Sequence, residues 1–487
     1  MIRGPASGIP DSATMHRILA AAIAASLPLA ANGADPAALT IYRSDGGALF
    51  EGGGSPVADG YAIVHESRAL ALGGGRQTVV IDGLPSTLDA EAIAIDVGTG
   101  TRVLAQRVLA AGDAGLLAAH RGEAIEVYSA DRLLVEGRLL SIDGNGIGVR
   151  AGDGRVHYLR DYTSVRFASG SGQPGSTLQL SLDASAGTER VRLTYPTSGL
   201  GWRAAYSAVL AEGNACSLRF EALASIANRS GRDYPAAGLK LVAGAPSFAK
   251  PTMAQPMMAK GMAAEAVSDG LPQQSALGDY RSFAIDGVLD LPDASVTQVP
   301  LYAARQVACQ RSWLFESGGA WFPPKPMLGA GGPARSGGPV VGMLRFGADE
   351  NLPAGYLRVL TRDRDGELEF LGENRVDDTP KGQAVDVRLG HAFELTAVRE
   401  RTAFTIDRAA RTMNEGFRLG FTNAGEGART VTVREYPNRW SQWRLASSSV
   451  KPSRQTPGLL EFEVAVPANG KAVLDYAVTY AWTPADD

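Results

Sequence analysis

TLQLSLDASAGTERVRLTYPTSGLGWRAAYSAVLAEGNACSLRFEALASIAN, residues 177–228, carries apolar side chains at every second position in four successive runs. Alternation with a period of two puts one set of side chains on a single face of a β-strand. The breaks between the runs hold Gly, Asp, Asn and Ser, which turn the chain. In the last run Cys216, Leu218, Phe220 and Ala222 share the apolar face, so the thiol is predicted to point inward.

The pattern continues on both sides. Downstream, LKLVAG, YRSFAIDGVLDLP and TQVPLYAARQVACQRSWLFE precede a series from VGMLRFG to KAVLDYAVTYAW. Upstream, ALTIYRSDGGALFEG and GYAIVHESRALALGGGRQTVVIDGLP read as strands broken by glycine turns. With 58 Gly and 27 Pro in 487 residues, many short strands are favoured over long helices. The length exceeds what one core serves, since domains run to roughly 100–200 residues.

The expected fold is all-β and multi-domain, with immunoglobulin-like β-sandwiches and a small SH3-like barrel near the N-terminus. Residues 35–112 form an N-terminal β region, and DAGLLAAHRG opens region 113–170 with a short helix capped by Asp113. Five short strands separated by DGNG and GDG turns then supply the barrel. A central sandwich occupies 175–345 and a C-terminal one 346–487. An outer-membrane barrel is disfavoured, because it needs ~9–11-residue strands with aromatic girdles.

The start of the chain gives a compartment. MHRILAAAIAASLPLAANGA, residues 15–34, has a short basic start, an apolar run and small residues, the layout of a secretory signal. Residues 1–34 are read as a signal peptide whose real start is Met15. No Cys follows the apolar run, and no later stretch reaches the ~18–20 apolar residues of a spanning helix. A periplasmic or secreted bacterial protein without a transmembrane segment in the mature chain is expected. The net charge of −4 without a basic stripe excludes nucleic acid as a partner. Cys216 and Cys309 either pair in an oxidising compartment or remain two separate buried thiols.

YPTSGLGWRAAYSAVL with IANRSGRDYPAAGLKLVAGAP, then NLPAGYLRVL, FLGENRVDDTPKGQAVDVRLGHAFELTAVRERT, VREYPNRWSQW and EFEVAVPANGKAVLDYAVTYAW, together resemble the family catalogued as domain of unknown function 4139. Some of its members are labelled mucoidy-inhibitor-like. The resemblance covers about Arg190 to Trp482. It implies β-sandwich modules and a bacterial envelope location, and it brings no catalytic residues.

Chemistry is sparse. His65, His120, His157 and His391 are solitary, without HExxH or HxH spacing, and no GxSxG or Walker loop occurs. GxGxxA recurs at Gly146, Gly199 and Gly329, but not between a parallel strand and a helix. DRDG at 363–366 reads as a hairpin turn in preference to a calcium loop. Asp363, Asp365, Asp377 and Asp378 are the acids a hydrolase of envelope polymers would use.

Two aromatic clusters stand out: Trp313, Phe315, Trp321, Phe322, and Tyr436, Trp440, Trp443. Trp321 and Phe322 fall in a Gly/Pro-rich loop with few core partners. TMAQPMMAKGM, residues 252–262, holds Met253, Met257, Met258 and Met262 within a Met/Ala/Pro-rich loop, 245–280. Four thioethers form a conceivable Cu(I) site, but adaptable contact with a partner is the preferred reading. The expected role is therefore non-catalytic and cofactor-free: binding of an envelope protein or polysaccharide through Trp321, Phe322 and these methionines.

Overall fold

A computed structural model describes residues 35–167, 175–211, 215–244, 273–277, 280–329, 331 and 335–486. The predicted signal segment and Met253, Met257, Met258 and Met262 lie outside the described residues. Within them, alternation becomes pairing. Leu200–Leu210 and Ser217–Asn228 run antiparallel with Trp202 opposite Ile226 and Tyr206 opposite Ala222. Trp202, Ala204, Tyr206 and Ala208 on one strand, and Leu218, Phe220, Ala222 and Ala224 on the next, are buried in phase. The protein is mostly β, 66% strand and 3% helix, in four open sheets. No helix among the described residues is long and apolar enough to cross a membrane.

A seven-stranded sheet has the order Gln273–Leu277, Tyr280–Leu291, Tyr234–Ala243, Ala38–Tyr42, Ala62–Leu72, Gly187–Thr197, Ala94–Asp96. Ala38–Tyr42 lies parallel to residues 238–242 and antiparallel to residues 62–65. Leu39 and Ile41 are thereby buried in the same core as Trp202 and Phe283. The strands Gly75–Leu84 and Thr101–Leu109 flank Ser176–Ala184 in a three-stranded sheet. Strands of the N-terminal region thus pair with those of the central region in both sheets.

The largest sheet has 13 strands. Its strands Ser295–Ser317, Arg335–Gly347 and Ala384–Asp407 run through two cores. Leu301, Val307, Leu344, Phe346, Val385 and Val387 belong to the first core, which includes Trp202. Phe315, Val340, Leu395 and Ala397 belong to the second, with Phe421, Phe462 and Tyr480.

A third core of Leu117, Ile125, Val127, Leu139, Ile147 and Val149 backs a five-stranded sheet. Its order is Ser164–Phe167, Ala124–Ser129, Arg132–Asp143, Gly146–Ala151, Val156–Leu159. This corrects the expected SH3-like barrel, because the two outer strands do not pair and no sheet closes. Val156 and Tyr158 on the last strand are exposed, and Leu159 at its end is half-buried against the third core. The helix Asp113–Ala119 forms where expected, but Gly112, with φ 103°, is its N-cap in place of Asp113.

Cys216 and Cys309 form a disulfide across a Cα separation of 5.0 Å. The Cys309 N–H donates to the Cys216 carbonyl at 3.0 Å, extending the ladder between Ser217–Asn228 and Ser295–Ser317. Closing a loop of 93 residues stabilises by about 4–5 kcal/mol in the chain-entropy model.

The two larger cores use the same loop device. Asn228, fully buried, donates from Nδ2 to the Arg232 and Leu291 carbonyls (2.7 and 2.8 Å), and its Oδ1 accepts from the Ser230 N–H and hydroxyl. Asn423 donates to the Gly427 and Pro467 carbonyls (2.9 and 3.1 Å) and accepts from the Gly425 N–H. Each asparagine ends a strand, closes its own loop over four residues, and ties it to a neighbouring turn. Alanine would leave several buried backbone groups unpaired. Asn228→Ala and Asn423→Ala should each cost about 2–4 kcal/mol in urea unfolding, against under ~0.5 kcal/mol for an exposed asparagine such as Asn145.

Candidate functional site

Residues 318–331 leave the end of Ser295–Ser317 and are held from below by arginines. An Nη of Arg439 donates to the Met327 and Gly329 carbonyls at 3.0 and 2.7 Å, and the Met327 N–H returns a bond to the Arg439 carbonyl at 3.0 Å. Arg401 reaches the Gly331 carbonyl at 3.1 Å. Arg439 is itself buried, its Nε 2.7 Å from Glu415 Oε1 and its guanidinium 4.4 Å from the Phe404 ring centre. A charge-assisted bond to a buried carboxylate holds one geometry, so the backbone at 327–329 is fixed from the side of the second core.

On this base Trp321 is 53% and Phe322 41% exposed. The Phe322 ring edge lies against Gly458, 3.5 Å from where a β-carbon there would stand. The neighbouring Pro457 carbonyl accepts from the Trp443 indole N–H at 2.5 Å. Phe322 and Trp443 therefore contact the same turn. Beside Trp443 opens a shallow cleft of about 240 Å³ lined by Gln442, Trp443, Arg444, Thr479 and Ala481. Exposed rings, an amide, a guanidinium and a hydroxyl thus share one end of the second core. The other predicted aromatics divide: Phe315 and Trp440 are buried in that core, and Trp313 lies half-buried at its margin.

The predicted acids do not converge. Asp363 accepts the Asp365 and Glu367 N–H groups at 2.9 Å each, forming the hairpin turn expected of DRDG. Asp377 and Asp378 follow the other end of that hairpin, whose strands are Gly355–Arg362 and Leu368–Val376. Eight residues of strand separate the two pairs by about 25 Å. Asp378 is occupied by Arg43 at 2.7 Å and by the Ala354 N–H at 2.8 Å. Among the described residues no three His, Cys, Asp or Glu side chains gather as metal ligands. A second shallow cleft of about 170 Å³ is lined by Asp96, Gly98, Glu189 and Arg192, whose polar groups bind one another.

Besides Glu415, two buried glutamates escaped the sequence reading. Glu66 is 4% exposed, forked by Arg232 (3.1 and 2.8 Å) and bonded by Arg68 (3.0 Å) and the Tyr195 hydroxyl (2.9 Å). Glu435 is 1% exposed, bonded at Oε2 by Arg399 (2.8 Å) and Tyr476 (2.5 Å), while its Oε1 has no partner. Both occupy the inward phase of a strand, Glu66 after Ala62 and Val64, Glu435 after Val431 and Val433. That phase was the available signal. Burial pushes the Glu66 carboxyl up, but Arg232, Arg68 and Tyr195 outweigh it and hold the group below the ordinary value of 4.5. For Glu435 burial prevails over Arg399 and Tyr476, and the group lies above that value.

No protein-family model matches this chain, and none of the curated proteins matches it.

The two glutamates give opposite pH dependences. Stability from Glu66 is present above the ordinary glutamate range and is lost as pH falls through its lowered folded value. That from Glu435 is present below the range and is lost as pH rises through its raised folded value. In urea unfolding across acid to neutral pH, Glu66→Gln should cost about 3–5 kcal/mol at neutrality, converging on wild type in acid. Glu435→Gln should cost under ~1 kcal/mol at neutrality or stabilise, its advantage over wild type growing as pH rises.

Proposed function

We propose that this chain is an exported, non-catalytic protein of a bacterial envelope that binds an envelope polysaccharide or protein through the aromatic end of its C-terminal sandwich. The observation that carries this reading is the exposure of Trp321 and Phe322 on an arginine-anchored loop beside the Trp443 cleft. Aromatic faces stack on the apolar faces of sugar rings, and planar groups such as Gln442 and Arg444 bond hydroxyls around them. Rings already held in place lose little freedom on binding. The amide, guanidinium and hydroxyl around the rings suit the many hydroxyls of a polysaccharide, and an exposed Trp beside an Arg also suits a protein partner.

Export is supported by the secretory layout of residues 15–34 and by the disulfide, a bond that persists in oxidising compartments. The resemblance of several stretches to the domain of unknown function 4139 family is in keeping with the same location, and two immunoglobulin-like sandwiches are the finer architecture this reading assigns to the two larger cores. Hydrolysis by Asp363, Asp365, Asp377 and Asp378 is disfavoured by their separation at opposite ends of a hairpin. Partner contact or copper binding through Met253, Met257, Met258 and Met262 concerns residues outside those described.

The test is retention of the mature protein on purified envelope polysaccharide by affinity electrophoresis. Trp321→Ala with Phe322→Ala should weaken retention by at least about tenfold, with the thermal unfolding midpoint unchanged. A folded double variant retained as well as wild type would remove the aromatic end from the binding role.

A further inference from the structure

A different set of side chains lies on the strand Ser295–Ser317 shortly before the Trp321 loop leaves it. Arg311 and Trp313, two residues apart on Ser295–Ser317, share a face. Arg429 opens the strand Arg429–Glu435, whose Val431 pairs with Trp313 in parallel. The guanidinium carbons of Arg429 and Arg311 stand 4.5 and 5.9 Å from the centre of the Trp313 ring. Chain direction separates this set from the aromatic end, because Phe315 and Ser317 intervene before the loop that carries Trp321.

Arginine in this protein is repeatedly paired: Arg345 with Asp386, Arg418 with Asp475 and Arg434 with Glu461, at 2.6–2.8 Å. Arg311 and Arg429 are among the arginines outside such pairs, and they share one ring. Among the described residues neither has a carboxylate partner or a hydrogen-bond acceptor, and the Trp313 indole N–H has no acceptor either. Stacking on one ring brings two like charges together, which costs energy without a counter-charge. Burial, then the like charge of Arg429, push the Arg311 guanidinium below its ordinary value. Unused donors on three side chains therefore converge around one indole.

We propose that Arg311, Trp313 and Arg429 form a binding site for a doubly charged tetrahedral oxyanion, a phosphate or sulfate monoester. Two guanidinium groups offer forked donors to such an anion, and the indole N–H adds a third direction. A dianion neutralises both charges, whereas a monocarboxylate leaves one uncompensated. This site does not depend on the polysaccharide reading of the Trp321 end.

The probe is inorganic phosphate, titrated above neutral pH into the full mature chain carrying ¹⁵N-labelled tryptophan. The chain has six tryptophans, and Trp313→Phe identifies the indole signal of interest. The Trp313 signal should shift saturably, with acetate at matched ionic strength at least about tenfold weaker. Arg429→Gln and Arg311→Gln should each weaken phosphate by at least about tenfold while the other indole signals keep their positions. An unmoved Trp313 signal, equal response to acetate, or unchanged affinity in the two folded glutamine variants would overturn the proposal. Two further arms identify the source. Competition by glucose 6-phosphate alone supports the site as one for a phosphorylated glycan, and Arg429-dependent retention on phosphatidate vesicles supports it as one for a lipid headgroup.

Discussion

The structure depends on strands that are too long for one core. Ser295–Ser317 has 23 residues and Ala384–Asp407 has 24. At ~3.3 Å per residue each spans about 75 Å, well beyond the length of a usual strand. Each must therefore bury its apolar face in two places, Leu301 and Val307 beside Trp202, then Phe315 beside Phe421. Strand pairing continues from one core to the next, with register shifts between Pro339 and Met343, so the second core is positioned by backbone pairing and not by a linker. Along Ser295–Ser317 the chain meets the disulfide at Cys309, the Arg311 and Trp313 pair, the buried Phe315 and finally the loop of Trp321. A loop leaving such an element inherits its rigidity, which is the condition for a pre-arranged binding surface.

Polar groups inside the protein serve the same end. Asn228 and Asn423 close equivalent loops in the two larger cores, each replacing backbone pairing that the turn cannot provide. Glu415 neutralises Arg439, which in turn holds residues 327–329. Removing one member of such a chain leaves a buried charge or dipole without a partner, a larger loss than the bond itself was worth. The buried ion pairs therefore fix where loops sit more than they add net stability.

Much of this was legible in alternation and some of it was not. Leu218, Phe220 and Ala222 face the core as the sequence implies, and DRDG makes the expected turn. Non-local pairing was hidden: nothing in ALTIY indicates that it lies beside residues 238–242. The failure of the barrel to close was hidden as well, since it depends on whether the outer strands Ser164–Phe167 and Val156–Leu159 meet. Trp321 and Phe322 could be found because a Gly/Pro stretch offers an aromatic few core partners. The cleft beside Trp443 could not, because Thr479 and Ala481 reach it from another strand. Glu66 and Glu435 were legible in principle, as acids standing in the phase of buried apolar neighbours.

The central claim is that the end of the second core bearing Trp321 and Phe322 meets the partner. The most direct measurement places a photoreactive benzoyl-phenylalanine at Phe322 of the full chain, and in a second protein at Val288, which is also exposed on a distant sheet. Both are irradiated in intact cells and the adducts identified by mass spectrometry. A glycan or protein adduct from position 322 and none from 288 is the predicted result. Adducts from 288 with none from 322 would contradict the account.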